Sequence, residues 1–154
     1  MRRPLPAVAS LRDFYAFEQH VATCRKHRGL AMVPEWYEAP TFYFTSPHTI
    51  LGPAEELAPP IFDRLDLALE VAAIIGAARN VGTGNLTHRE AKQVIFGYTI
   101  MNDWSARDLQ SREMKVRLGP AKGKDFGTSL GPWIVTADEL EPHLDPDGFL
   151  EVRA

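Results

Sequence analysis

The run Met101-Asn102-Asp103-Trp104-Ser105-Ala106-Arg107-Asp108-Leu109-Gln110 brings a carboxylate, a guanidinium and an amide into one short stretch, and Lys124 adds an ammonium soon after. Arginine and lysine carry no acceptor and an ionised aspartate carries no donor, so Asp103, Arg107, Gln110 and Lys124 each require a partner. Gly119, Gly123, Gly127 and Gly131 follow, and glycines let the backbone come close to such groups. An ordinary loop seldom needs this combination, so the stretch reads as a functional site. A phosphate-binding loop is the weaker reading of the glycines, because no strand-to-helix nucleotide signature surrounds them.

The elements that must position these groups follow from periodicity. Leu65 to Ile75 alternates, with Leu67, Leu69 and Val71 on one face and Asp66, Ala68 and Glu70 on the other, so acids share a sheet face. Thr87-His88-Arg89-Glu90 is a capping-box pattern and predicts a helix through about Phe96, stopped by Gly97 before a short strand from Tyr98 to Asn102. Asp103 then stands at a strand-to-turn junction. Ser105 to Asp108 predicts a capped helical turn that brings Arg107 and Gln110 onto one side. Upstream, Phe14, Phe17, Val21 and Cys24 recur at helical spacing, which predicts a helix from Leu11 to Arg28 closed by Gly29. On that helix Asp13 and His20 point the same way. Aromatic and β-branched residues between Trp36 and Gly52, as in Thr41 to Thr45, predict strands with turns. Trp36, Trp104 and Trp133 are expected in the core, Trp104 being the one with a ligand-contacting alternative because it neighbours Asp103, and His27, His48, His88 and His143 on the surface.

At 154 residues, 45% apolar and 24% charged, the chain has the composition of one soluble globular domain. Its 17 basic and 20 acidic residues give a net charge of -3, which argues against a nucleic-acid partner. The densest basic cluster, Arg25-Lys26-His27-Arg28, sits where a helix C-terminus favours cations. Cys24 is the single cysteine, so no internal disulfide forms and a reducing compartment is expected. Nothing reads as a signal peptide or membrane span, and the expected location is cytoplasmic.

Several blocks together resemble the C-terminal catalytic domain of the fumarylacetoacetate hydrolase family. They are Asp13-Phe14-Tyr15 with Gln19-His20, Pro40 through Tyr43, Leu65-Asp66 with Leu69-Glu70, Ile95-Phe96-Gly97-Tyr98, Asn102 through Gln110, and Gly119 through Trp133. The resemblance implies an α+β, mainly β fold, a mixed β-sandwich roll incomplete at its C-terminus. Within 1–154 it implies a lead-in to about residue 10, a matched core over 11–135 and the start of a remainder over 136–154. It also implies magnesium or calcium held by Asp13, Glu70 and Asp103, in keeping with the preference of hard cations for oxygen donors. The implied reaction is hydrolysis of a carbon-carbon bond in a β-diketone acid of the fumarylacetoacetate or acylpyruvate type, as in aromatic amino-acid breakdown. His20 is the implied general base, activating water for attack on a metal-held carbonyl. Arg107, Gln110 and Lys124 are implied to hold substrate oxygens and developing charge, with Tyr15 and Tyr43 also contacting substrate. A homodimer is the assembly implied for the full-length form.

The chain departs from the family pattern in two places. Where the family has a second glutamate, two residues before the position of Glu70, this chain has Ala68. One ligand oxygen and one charge are lost, so weaker cation binding is expected, with water able to fill the place. The glutamate that orients the general-base histidine belongs to a part of the family domain that this chain does not reach. A second class of function follows from these departures: an impaired homologue or fragment that binds metal or small dicarboxylates without turnover. Within the enzyme class, decarboxylation, isomerisation or hydration of 2-oxo acids are the other implied reactions. An incomplete roll is further expected to expose strand edges and apolar faces and to self-associate.

Overall fold

The computed structural model describes residues 2–76 and 85–151. In chain order its elements are β1 (Leu11–Phe14), α1 (Glu18–His27), β2 (Phe42–Thr45), β3 (Ile50–Leu51), β4 (Leu65–Ile75), α2 (His88–Ala91), β5 (Ile95–Ala106), α3 (Arg107–Val116), β6 (Thr128–Leu130), β7 (Val135–Thr136) and α4 (Ala137–Leu140). The fold is mixed α and β. A two-stranded ribbon, β1 with β2, lies beside a five-stranded sheet ordered β3-β6-β5-β4, with β7 on β5, and the two sheets do not close into a roll. All pairings are antiparallel except β3 with β6.

The expected helix from Leu11 to Arg28 is corrected at its N-terminal end. Leu11 to Phe14 pairs with the aromatic run Phe42 to Thr45 as strand, and the helix begins only at Glu18. Non-local pairing with a β-prone partner overrides the local helical spacing there. The helix ends as expected, with Arg25, Lys26 and His27 in its last turn and Gly29 at φ +69° beyond it.

The capping box at Thr87 forms, with reciprocal Thr87 and Glu90 bonds, but the helix it opens is short. The following strand is longer than expected: β5 begins at Ile95, contains Gly97 rather than stopping at it, and runs through Asp103 to Ala106. Asp103 therefore sits inside a central strand and not at a turn. The strand passes directly into α3, with no side-chain cap from Ser105.

β4 keeps the alternation of its sequence. Ala68, Glu70, Ala72 and Ile74 are half-buried, whereas Leu65, Leu67, Leu69, Val71 and Ile75 are exposed, Leu69 by 64%. On the inner side Ile50, Met101 and Leu130 form a small buried cluster, with Leu5, Val8, Leu11 and Ala72 packed against it. Trp133 is 75% exposed, so the expected core position is corrected for that residue. His20, His27, His48, His88 and His143 are all exposed. No helix among the described residues is long and apolar enough to cross a membrane.

Candidate metal centre and substrate site

Three strands from distant parts of the chain each deliver one acid. Asp13 comes from β1, Glu70 from β4 and Asp103 from β5, and one carboxylate oxygen of each lies within 4.8 Å of the others. Strand alternation explains the meeting. Glu70 pairs with Met101 and Ala68 with Asp103, so Glu70 and Asp103 share the inner face of the sheet. Asp13 pairs with Tyr43 across the ribbon, and the Tyr43 hydroxyl ties the ribbon to the sheet. Its oxygen is 2.8 Å from Asp13 Oδ2 and 3.0 Å from Asp103 Oδ2, and its single proton serves one of them at a time.

The Lys124 ammonium donates to Asp103 Oδ2 inside this cluster, with side-chain exposures of 7% and 1%. It also faces the Tyr43 ring, 6.0 Å from its centroid. Three carboxylates against one ammonium leave two negative charges when every acid is ionised. The protonation of the cluster registers that excess. Burial, followed by the Asp13 and Asp103 charges, pushes Glu70 up to about 8, against the pull of Lys124. Burial also raises Asp13, opposed by its bond from Tyr43. Burial and the two aspartates keep Tyr43 a neutral donor, well above its ordinary range.

Thr128 of β6 is the other cross-strand partner of Asp103, so Asp103 stands between Ala68 and Thr128. The Thr128 hydroxyl is fully buried and has no hydrogen-bond partner among the described residues. An all-oxygen donor set, three acids against one ammonium and an orphaned hydroxyl beside the central acid together fit a hard divalent cation. Thr128 was missed in the sequence, where nothing marks its pairing with Asp103.

Two of the residues expected to hold substrate oxygens, Arg107 and Gln110, lie on α3. Arg107 Nε donates to Asp66 Oδ2 at 2.8 Å, and Arg107 Nη1 donates to Gln110 Oε1 at 3.0 Å. The expectation that Arg107 and Gln110 share a side is met. The guanidinium holds Asp66 below the ordinary carboxylate range, and Asp66 is not one of the clustered acids. That pairing was not foreseen, although Asp66 lies on the same strand face as Glu70.

His20 lies on α1 and Asp13 on β1, so they do not share one helix. The imidazole meets Tyr15 edge-on at 6.0 Å between centroids, and its Nε2 is 3.7 Å from Cys24 Sγ. Among the described residues no carboxylate hydrogen-bonds to it. Next to Tyr15, a surface hollow is lined by Phe14, Trp36, Tyr37 and Pro40. Trp36 Nε1 fixes its wall by donating to the Tyr15 carbonyl at 2.8 Å.

Residues 10–152 match the family described as fumarylacetoacetate (FAA) hydrolase, C-terminal. The fumarylacetoacetase of Arabidopsis thaliana is 38% identical over 148 residues, covering 84% of this chain and 35% of its own length. Among solved structures, the fumarylacetoacetate hydrolase of the psychrophile Exiguobacterium antarcticum aligns with a TM-score of 0.62 at 26% identity, over 94% of this chain and 47% of that one. A fumarylpyruvate hydrolase from Pseudomonas aeruginosa, solved with Mn2+ and pyruvate, shares the fold with a TM-score of 0.57 at 22% identity, over 74% of this chain and 48% of that one. The chain thus spans about a third of the curated relative and about half of each solved one.

Proposed function

This chain belongs to the fumarylacetoacetate hydrolase family, and on that premise we propose that it holds a divalent cation on Asp13, Glu70 and Asp103 to act on a β-diketone or acylpyruvate acid. The observation that carries the reading is the convergence of three acids from three strands around a single ammonium. The Mn2+ and pyruvate of the Pseudomonas structure are in keeping with such a site. Magnesium and calcium are the cations we assign, and both accept water where Ala68 offers no oxygen.

A bound cation would supply Lewis-acid polarisation of a substrate carbonyl. The chain's own residues do the rest. Arg107 and Gln110 hold the substrate carboxylate or ketone through planar donors, and Lys124 balances negative charge that develops as the carbon-carbon bond breaks. Tyr43, kept neutral, donates a hydrogen bond, and Tyr15 lines the approach to the acyl group. His20 takes the proton from water as the water oxygen bonds to the acyl carbonyl carbon, a task suited to an imidazole. The adjoining carbon-carbon bond then breaks, and the 2-oxo acid leaves as an enolate whose carbon takes that proton back.

Ala68 favours a second reading, in which the chain binds metal and a small diacid without turnover. Following the enol absorbance of acetopyruvate, the simplest acylpyruvate, separates the two. Metal-dependent loss of absorbance that disappears in His20→Ala and Asp103→Asn is the expected result. Metal-dependent binding without that loss selects the second reading, and neither binding nor turnover contradicts both.

A further inference from the structure

The Glu113 carboxylate belongs to none of the groups assigned so far, yet it accepts three backbone N–H bonds from one loop. Ala121 N donates to Oε2 at 3.1 Å, Lys122 N to Oε1 at 2.7 Å and Gly123 N to Oε2 at 3.0 Å. These bonds hold the carboxyl below the ordinary range although burial alone would raise it. The same loop is clamped from other sides. Gly123 O accepts from Ala106 N at 2.8 Å, where β5 passes into α3. A side chain at Gly123 would come within 2.8 Å of Gln110 N, so the loop backbone lies directly on α3. The next residue is Lys124.

Arg107, Gln110 and Glu113 recur every third residue and descend one side of α3. The first pairs with Asp66, the second packs on Gly123 and the third grips the loop N–H groups. We infer that Glu113 is a positioning residue: by holding Ala121 to Gly123 it seats the Lys124 ammonium on Asp103, so that one helix sets the place of all three anion-binding side chains. The value of that placement for substrate rests on the function proposed above, whereas the placement itself does not. The signal was present in the sequence as the three-residue spacing, but nothing local pointed to the loop as the partner.

The test is limited acetylation with acetic anhydride at one pH, read for each lysine by peptide mass spectrometry. In the wild type Lys124 should react far more slowly than Lys122, which is exposed. In Glu113→Gln the Lys124 rate should rise by about tenfold, as expected from losing a hydrogen bond to a charged acceptor. Lys26, Lys92 and Lys115 should be unchanged, and Arg112→Ala on the same helix should leave Lys124 protected. Gly123→Ala, which pushes the loop off Gln110, should reproduce the effect if Glu113→Gln does not fold. Acetopyruvate affinity with magnesium present should fall in Glu113→Gln but not fall further when Glu113→Gln is added to Lys124→Met. An unchanged Lys124 rate, or an equal rise at every lysine, overturns the assignment. If the wild type binds no acetopyruvate, the substrate reading falls, and the labelling still decides the role of Glu113.

Discussion

Ala68 is the residue directly opposite Asp103 in the β4–β5 pair, on the face that carries Glu70. A glutamate at this position starts beside Asp103 and points at the clustered acids. Ala68→Glu is therefore expected to add a ligand and raise magnesium affinity at least about tenfold, the lower end of what even outer partners of a metal contribute. Without metal the same substitution should lower the melting temperature, because a fourth acid joins an uncompensated cluster. Calorimetric titration and thermal melts with and without EDTA check both signs.

The raised proton affinity of Glu70 gives a stability-versus-pH prediction. Its folded pKa of about 8 lies above the ordinary 4.5, so the folded chain keeps a proton that the unfolded chain releases. The contribution is fully present below about pH 4.5 and is lost as pH rises toward 8, by an amount on the order of a few kcal/mol. Asp13 acts in the same direction. Asp66 and Glu113, held below their ordinary values, act in the opposite direction and at more acid pH. Metal-free melts from pH 5 to 8.5 should fall with pH, and magnesium or Glu70→Gln should flatten the slope. Metal-free stability that rises through this window would contradict the crowding of the acids.

Asp103→Asn removes the hydrogen-bonded partner of the almost wholly buried Lys124 ammonium but leaves the Asp13 and Glu70 carboxylates to balance its charge. Lys124→Met takes away the cation and leaves the acids uncompensated, the costlier way to break a buried pair here. Metal-free chemical denaturation near pH 7.5 should show Lys124→Met less stable than Asp103→Asn, and the reverse order would argue against acid crowding around a single ammonium.

The outer face of β4 and β5 exposes Leu67, Leu69, Val71, Ile75 and Ile100, next to the edge of β4 that no strand among the described residues pairs with. An uncovered apolar face on a long edge strand favours association. Gel filtration should show apparent mass rising with concentration, and Leu67→Lys/Leu69→Lys should shift the chain toward a monomer. A monodisperse wild-type monomer at high concentration would contradict this.

The parts of this molecule legible in its sequence are those set by local periodicity. β4 reads correctly because its alternation is strict, and Arg107 meets Gln110 because helical spacing fixes that neighbour. Asp13, Glu70 and Asp103 are singled out together only by family resemblance, and strand register then explains how they meet. Periodicity failed where distant partners decide. Leu11 to Phe14 carries part of a helical pattern and becomes a strand because Phe42 to Thr45 is available to pair with it. Gly97 looks like a helix stop, yet its position in β5 is set by the Val135 backbone, which leaves no room for a side chain. The partners of Lys124 and Asp66 come from segments remote in sequence, those of Glu113 from the loop beyond its own helix, and no spacing rule names them.

A divalent cation on Asp13, Glu70 and Asp103 is read by isothermal titration of magnesium, and in parallel of calcium, into the purified chain, Ala68→Glu and Asp103→Asn. One saturable site is expected in the wild type, with higher affinity in Ala68→Glu and none in Asp103→Asn. No saturable heat in either the wild type or Ala68→Glu, or equal binding by Asp103→Asn, would contradict it.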